Sequence, residues 1–153
     1  MRHRIKAFTL IELIVTVTIV GVLAVVAVPA FTTAINNSRA DTEIGDIYRA
    51  LSYTRLEAIN RGVNVQLRPT ATGTIWTGEL RVVLSTGGDA LRLVPALSAN
   101  ATLAAGSLTY IEFNNLGGLS NPGVNTVLTY TRGAATRTIS LCLSGRIVQG
   151  GSC

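Results

Sequence analysis

From Leu13 to Ser38 the chain reads LIVTVTIVGVLAVVAVPAFTTAINNS, without one Asp, Glu, Lys or Arg. As a helix rising about 1.5 Å per residue, that run is roughly 39 Å long, more than the ~30 Å hydrocarbon core of a bilayer. The pattern then turns one-sided. Ile44, Ile47, Leu51 and Ala58, joined by Tyr48, Leu56 and Ile59, recur at spacings of three and four, which predicts an amphipathic helix over 38–61 with that stripe buried. Arg39/Glu43 and Glu57/Arg61 stand four apart, as helix-supporting ion pairs do, and Gly62 supplies a stop. One helix through both stretches would have about 54 residues and span roughly 80 Å, with bends expected at Gly21 and Pro29.

Beyond Gly62 the period becomes two: Val63, Val65 and Leu67 alternate with Asn64, Gln66 and Arg68 until Pro69. Further strands are predicted at about 74–84, 91–97, 108–113, 124–131 and 136–144, separated by the turn signals STGGD, NNLGGLSNPG and RGAA. Connections this short favour antiparallel hairpins. The expected class is α+β: a long N-terminal apolar helix that becomes amphipathic and packs on one antiparallel sheet spanning 63–149, ahead of a C-terminal tail. Trp76, the single tryptophan, is expected in that core.

Charge changes the picture in one place. The formal net charge of +5 looks like a polyanion signal, but Arg2, Arg4 and Lys6 all precede the apolar run. That asymmetry predicts a cytoplasmic start and a body across the membrane. The sole histidine is His3, and no lysine follows Lys6. Two cysteines and scattered carboxylates cannot assemble the usual zinc, triad or general-base constellations, and no glycine-rich phosphate loop follows a strand. The residues therefore argue against an enzyme, a metal site or a cofactor.

Glu12 sits at the start of the apolar run, where an ionisable group is expensive. Three readings compete. A secretory signal would have a shorter apolar core and a small-residue cleavage site, whereas here Pro29 stands where cleavage would be wanted. A plain anchor fits the length and leaves Glu12 unexplained. The third rests on Lys6-Ala7-Phe8-Thr9-Leu10-Ile11-Glu12-Leu13, which closely resembles the type IV prepilin signature, with Gly21 and Pro29 at positions where pilins often carry those residues. The segment Tyr53-Thr-Arg-Leu-Glu-Ala-Ile-Asn-Arg61 also resembles the end of the spine helix in minor subunits of the FimT/FimU and GspH types.

That resemblance implies a leader over 1–7, a membrane and filament-core helix over 8–35, and a periplasmic head over 36–153. It implies cleavage between Ala7 and Phe8 by a prepilin peptidase and methylation of the new Phe8 amino terminus. The family usually carries Gly where Ala7 stands. Glu12 would neutralise the amino terminus of a neighbouring subunit and so fix the axial register of apolar helices, since a buried charge is tolerated when paired. Reaching back toward the headgroups is its other physical option. Implied partners are major and minor pilin subunits, the peptidase and the inner-membrane assembly platform. The implied function is priming or capping a type IV pilus, with a GspH-like pseudopilin of type II secretion as the alternative.

Cys142 and Cys153 are the only cysteines, at the end expected in an oxidising compartment. A disulfide is the natural pairing, closing a loop of about a dozen residues and worth roughly 3 kcal/mol; two free thiols, with Cys142 buried in its strand, is the alternative. After Glu112 no acidic residue occurs, yet Arg132, Arg137 and Arg146 are present. Arginines without counter-charges can hold a phosphate backbone. In some FimT-type minor pilins a C-terminal Gly-Arg-x-Arg element binds DNA; Gly145 and Arg146 match it, and Val148 replaces the second Arg. Arg132, Arg137, Gly145 and Arg146 are thus candidate DNA contacts, with solvated charges or subunit contacts as the competing reading.

Overall fold

The computed structural model describes residues 9–153. A helix, α1, runs without interruption from Leu10 to Arg61, through Gly21 and Pro29. Its first turn is capped: the Thr9 hydroxyl accepts the Glu12 N–H at 3.3 Å, satisfying one of the donors that every helix start leaves open. Thr16 and Thr18 donate their hydroxyls back to the carbonyls of Glu12 and Leu13, and of Ile14, at 2.8–2.9 Å. These polar side chains thus make no demand on an apolar surround.

The chain divides into two compact units, one ending at Ile35 and the other comprising Asn36–Cys153. In the first, the large side chains Leu10, Ile11, Leu13, Ile14, Phe31 and their apolar neighbours are exposed. An 18-residue window there has a mean hydropathy of 2.7, so this segment is long and apolar enough to cross a membrane.

The second unit builds its core on one face of α1. Ala40, Ile44, Ile47, Leu51, Thr54 and Ala58 are completely or almost completely buried, at alternating spacings of four and three. Thr54 enters this apolar face at no polar cost because its hydroxyl donates to the Ala50 carbonyl at 2.7 Å. Leu56 and Ile59, expected in the stripe, are instead 56% and 44% exposed. They lie beyond the edge of the face that Leu51, Thr54 and Ala58 define.

Nine strands follow: β1 Val65–Pro69, β2 Leu80–Leu84, β3 Arg92–Val94, β4 Ala101–Ala104, β5 Ile111–Phe113, β6 Leu119–Asn121, β7 Thr126–Arg132, β8 Ala135–Leu141 and β9 Ile147–Gln149. The α+β class with antiparallel pairing is borne out. The single expected sheet is corrected to two, a five-stranded one in the order β3-β2-β1-β5-β6 and a four-stranded one in the order β4-β7-β8-β9. Within them Leu67 faces Val82 and Ile111, while Leu128 faces Ile139. Both sheets deliver side chains to one core with α1: Leu67, Val82, Ile111 and Phe113 from the first, Leu128, Tyr130, Ile139 and Leu141 from the second.

The strand expected at 74–84 is shorter, because Trp76 lies in a turn before it. There the indole is buried as expected, and its N–H donates to the Leu108 carbonyl at 2.7 Å. β4, β6 and β9 were not foreseen individually. β4 (ATLA) is too poor in large apolar residues to show, and β6 lies inside a stretch that reads as pure turn.

Candidate functional site

Three places carry the residues that sequence reasoning singled out. Ala7 and Phe8 lie outside the described residues. Glu12 is exposed in the first helical turn, next to the capping hydroxyl of Thr9. Thr9 is a contributor that the reading of this segment missed. Its signal was available, since Thr-x-x-Glu ahead of an apolar run is the sequence of a capping box. A carboxylate in a first turn is also favourable toward the helix dipole.

The second place is a buried polar network at the start of the head. Glu43, expected to pair with Arg39 along the helix, turns inward. The Tyr130 phenol donates to Glu43 Oε2 at 2.8 Å, and the Ser98 hydroxyl donates to Oε1. Arg132 stands behind them, only 7% exposed. It donates to the Ser98 hydroxyl, to the Ala99 carbonyl at 3.0 Å and to Asn36 Oδ1 at 3.2 Å, and lies 3.9 Å from Glu43 Oε1. Burial first, then the hydrogen bond and charge of Glu43, push the Tyr130 phenol up to about 12. No fully buried polar side-chain atom of the group is left without a hydrogen-bond partner, the condition under which a buried charge pair is tolerated. Arg132 is therefore structural in position, tying β7 to α1.

Arg137 projects from β8 onto α1, where its Nε donates to Asp41 Oδ1 at 2.6 Å. That hydrogen bond is the main cause holding the Asp41 carboxyl below its ordinary value. Of the candidate DNA contacts, then, two have an acid beside them that no sequence spacing suggested.

The third place is the tight turn between β8 and β9. Cys142 and Cys153 form the disulfide, with Cα atoms 5.4 Å apart. Gly145 is buried, at φ +81°. A Cβ there would stand 1.7 Å from the Gly117 carbonyl oxygen and 2.9 Å from Arg55 Nε. Its role is to let this turn pass over the β5–β6 turn, a close approach that only glycine permits. Arg146, next in sequence, is exposed, and its one described hydrogen bond is a 3.4 Å donation to the Ser152 carbonyl. It shares this end of the head with Arg55, whose Nε donates to the Gly117 carbonyl at 2.9 Å.

Arg132 and Arg137 contact α1 at Asn36, Asp41 and Glu43, whereas Arg146 lies near Arg55. From Asp41 to Arg55 the helix rises about 21 Å. The structure thus does not gather the four candidates into one patch. No grouping of three or more His, Cys, Asp or Glu suited to a metal occurs among the described residues.

A match to the family described as Type II transport protein GspH covers residues 43–145, about two thirds of the chain. The chain belongs to the GspH family. A second match, to the prokaryotic N-terminal methylation motif, covers residues 2–28. The head of this GspH-family chain is similar to solved structures of the type IV pilin fold. One is the type IV minor pilin FimU of Pseudomonas aeruginosa strain PAO1, with 19% identity, a TM-score of 0.66, and coverage of 74% of this chain and 90% of that one. Another is the minor pseudopilin EpsH of the type 2 secretion system of Vibrio cholerae, with 13% identity, a TM-score of 0.54, and coverage of 72% and 95%. The resemblance carried by FTLIEL and by the Tyr53–Arg61 segment is borne out at the level of family and fold.

Proposed function

We propose that this GspH-family chain is a minor type IV pilin of the FimT/FimU kind, which primes or caps a pilus. One observation carries the reading. The signature KAFTLIEL leads directly into a helix whose large apolar side chains, Leu10, Ile11, Leu13, Ile14, Leu23 and Phe31 among them, are exposed, and which continues into a head of pilin fold. A surface of that kind is stable only in lipid or against other apolar helices. In this reading a prepilin peptidase cuts between Ala7 and Phe8 and methylates Phe8. The helix then waits in the inner membrane with the head in the periplasm, and enters the fibre from the assembly platform. Glu12 meets the amino terminus of a neighbour and sets its height. Thr9 keeps the first turn of the helix intact at the point where the two charges meet.

The intact mass of the protein extracted from native membranes tests this. A chain beginning at methylated Phe8 is expected; full-length protein retaining Met1 would overturn the reading.

The family match over residues 43–145 favours one second reading, a GspH-like minor pseudopilin of a type II secretion machine. Deleting the gene decides between them. Loss of surface pili supports the first reading, and loss of protein secretion with pili intact supports the second. A DNA-uptake role would fall to Arg146 rather than to Arg132, which is buried and satisfied. It predicts salt-sensitive duplex binding that Arg146→Ala abolishes.

A further inference from the structure

Leu56 and Ile59 are large, apolar and roughly half exposed, whereas Ile44, Ile47 and Leu51 in the same head portion of α1 are buried. They do not stand alone. With Tyr53 of α1 and Ile147 of β9 they line a cleft of about 590 Å³, a volume in the range of ordinary ligand and peptide sites.

Four arginines line the same cleft; Arg49 is paired with Asp46, and the other three are Arg55, Arg92 and Arg146. Arg55 is held in place by its hydrogen bond to the Gly117 carbonyl. Arg92 reaches across from β3 to lie 5.3 Å over the centre of the Tyr53 ring, an arrangement that fixes a cation against an aromatic face. Arg146 comes from the β8–β9 turn. Among the described residues, none of the three forms an ion pair. The four ion pairs among the described residues involve Arg49, Arg61, Arg132 and Arg137.

An apolar floor bordered by three arginines that stand outside the described ion pairs, Arg55, Arg92 and Arg146, is complementary to one kind of occupant. We propose that this cleft docks a segment of a partner protein that presents a single carboxylate between apolar side chains. The carboxylate seats at Arg146 and Arg92, and its apolar flanks cover Leu56 and Ile59. Charge pattern sets this occupant apart from a nucleic acid. A phosphate backbone needs a continuous track of cations, but Asp46, bonded to Arg49, and Glu57, 2.5 Å from Arg61, already place carboxylates beside this surface. They would repel a polyanion and spare a single charge placed at Arg146. The close approach of Gly145 to Gly117 brings the β8–β9 turn, and with it Arg146, to this end of α1. Naming a neighbouring subunit as the source of the segment rests on the filament reading. The binding chemistry does not, and an uncleaved leader would sink that reading without touching this one.

The test uses the full chain in detergent micelles and a panel of fluorescently labelled nine-residue peptides. Each carries one central Glu between Leu, Val or Phe residues and has a twin with Gln at the centre. Micelle partitioning is common to wild type and variants and cancels in the comparison. At least one Glu peptide is expected to bind about tenfold more tightly than its Gln twin, the size of one charge-assisted hydrogen bond. Arg146→Gln should abolish that preference, Arg146→Lys should restore part of it, and Leu56→Ser should weaken both twins alike. Equal binding of all twins, or a preference that survives Arg146→Gln, would overturn the proposal. So would a twelve-residue oligothymidylate that binds through Arg146 where no Glu peptide does.

Discussion

The Tyr130 phenol donates a hydrogen bond to Glu43 across 87 residues of sequence, at 2.8 Å. It fastens the middle of β7 to the first turns of the head helix, and burial and Glu43 together hold the phenol protonated up to about 12. A folded-state value above the ordinary value of 10 makes the native state bind this proton more tightly than the unfolded chain. The contribution is therefore complete below pH 10 and is lost as pH rises from 10 toward 12. Tyr130→Phe should cost about 1–2 kcal/mol at pH 7 and flatten the fall in stability between pH 10 and 11.5. Denaturant titrations followed by Trp76 fluorescence at a series of pH values would measure both.

Removing Arg132 should be more damaging than removing any exposed arginine. Arg132→Ala leaves the Glu43 carboxylate buried without its cation, at an expected cost of about 3–4 kcal/mol. Arg132→Lys should recover only part of this, because one ammonium cannot reach Asn36, Ser98 and the Ala99 carbonyl together. Loss of DNA binding in an Arg132 variant would accordingly report a damaged head unless its unfolding midpoint is unchanged.

Glu112 offers the opposite pH sign. Burial pushes its carboxyl up, but hydrogen bonds from Gln66, Ser120, Ser85 and Asn64 outweigh that and hold it below the ordinary 4.5. The stabilisation is present above the unfolded value and is lost as pH falls through the lower folded one. In Glu112→Gln the decline in unfolding free energy below pH 4.5 should be shallower than in wild type.

Two glycines separate close approach from backbone freedom. Gly145 and Gly150 both have positive φ, +81° and +69°, but a Cβ at Gly150 meets nothing within 4 Å, whereas one at Gly145 meets the Gly117 carbonyl. Gly150→Ala should cost about 1 kcal/mol from backbone strain alone. Gly145→Ala should cost several times more, on the scale of other overpacked sites, with comparison of the two thermal midpoints as the check.

Reducing the Cys142–Cys153 bond opens a loop of separation 11. Chain-entropy reasoning gives a loss of roughly 3 kcal/mol. The urea midpoint with and without reductant should shift accordingly, and Cys153→Ser should unfold at the reduced midpoint in either condition.

The sequence by itself determined the elements whose signals are local. An uncharged run is long or it is not, so the apolar helix was legible from residues 13–38. The stripe Ile44–Ile47–Leu51–Ala58 placed the face of α1 that the core covers. The period of two after Gly62 marked β1, and Cys142 and Cys153 had no other partners. Tertiary structure decided what depends on which segments meet. Spacing makes Glu43 the helical partner of Arg39, since spacing reports only neighbours on the same helix. Its actual partners, Tyr130, Ser98 and Arg132, arrive from strands and a loop that no local pattern connects to it. Leu56 and Ile59 fall in the same apolar stripe as the core residues, because periodicity gives a helix its apolar face without showing how wide a face the sheets will cover. Arg132, Arg137 and Arg146 looked like one basic cluster in a chain end lacking acids. The fold sent two of them back to acids in α1 and left the third at a cleft, because a strand pairing carries side chains to wherever its neighbours run, independent of their distance along the chain.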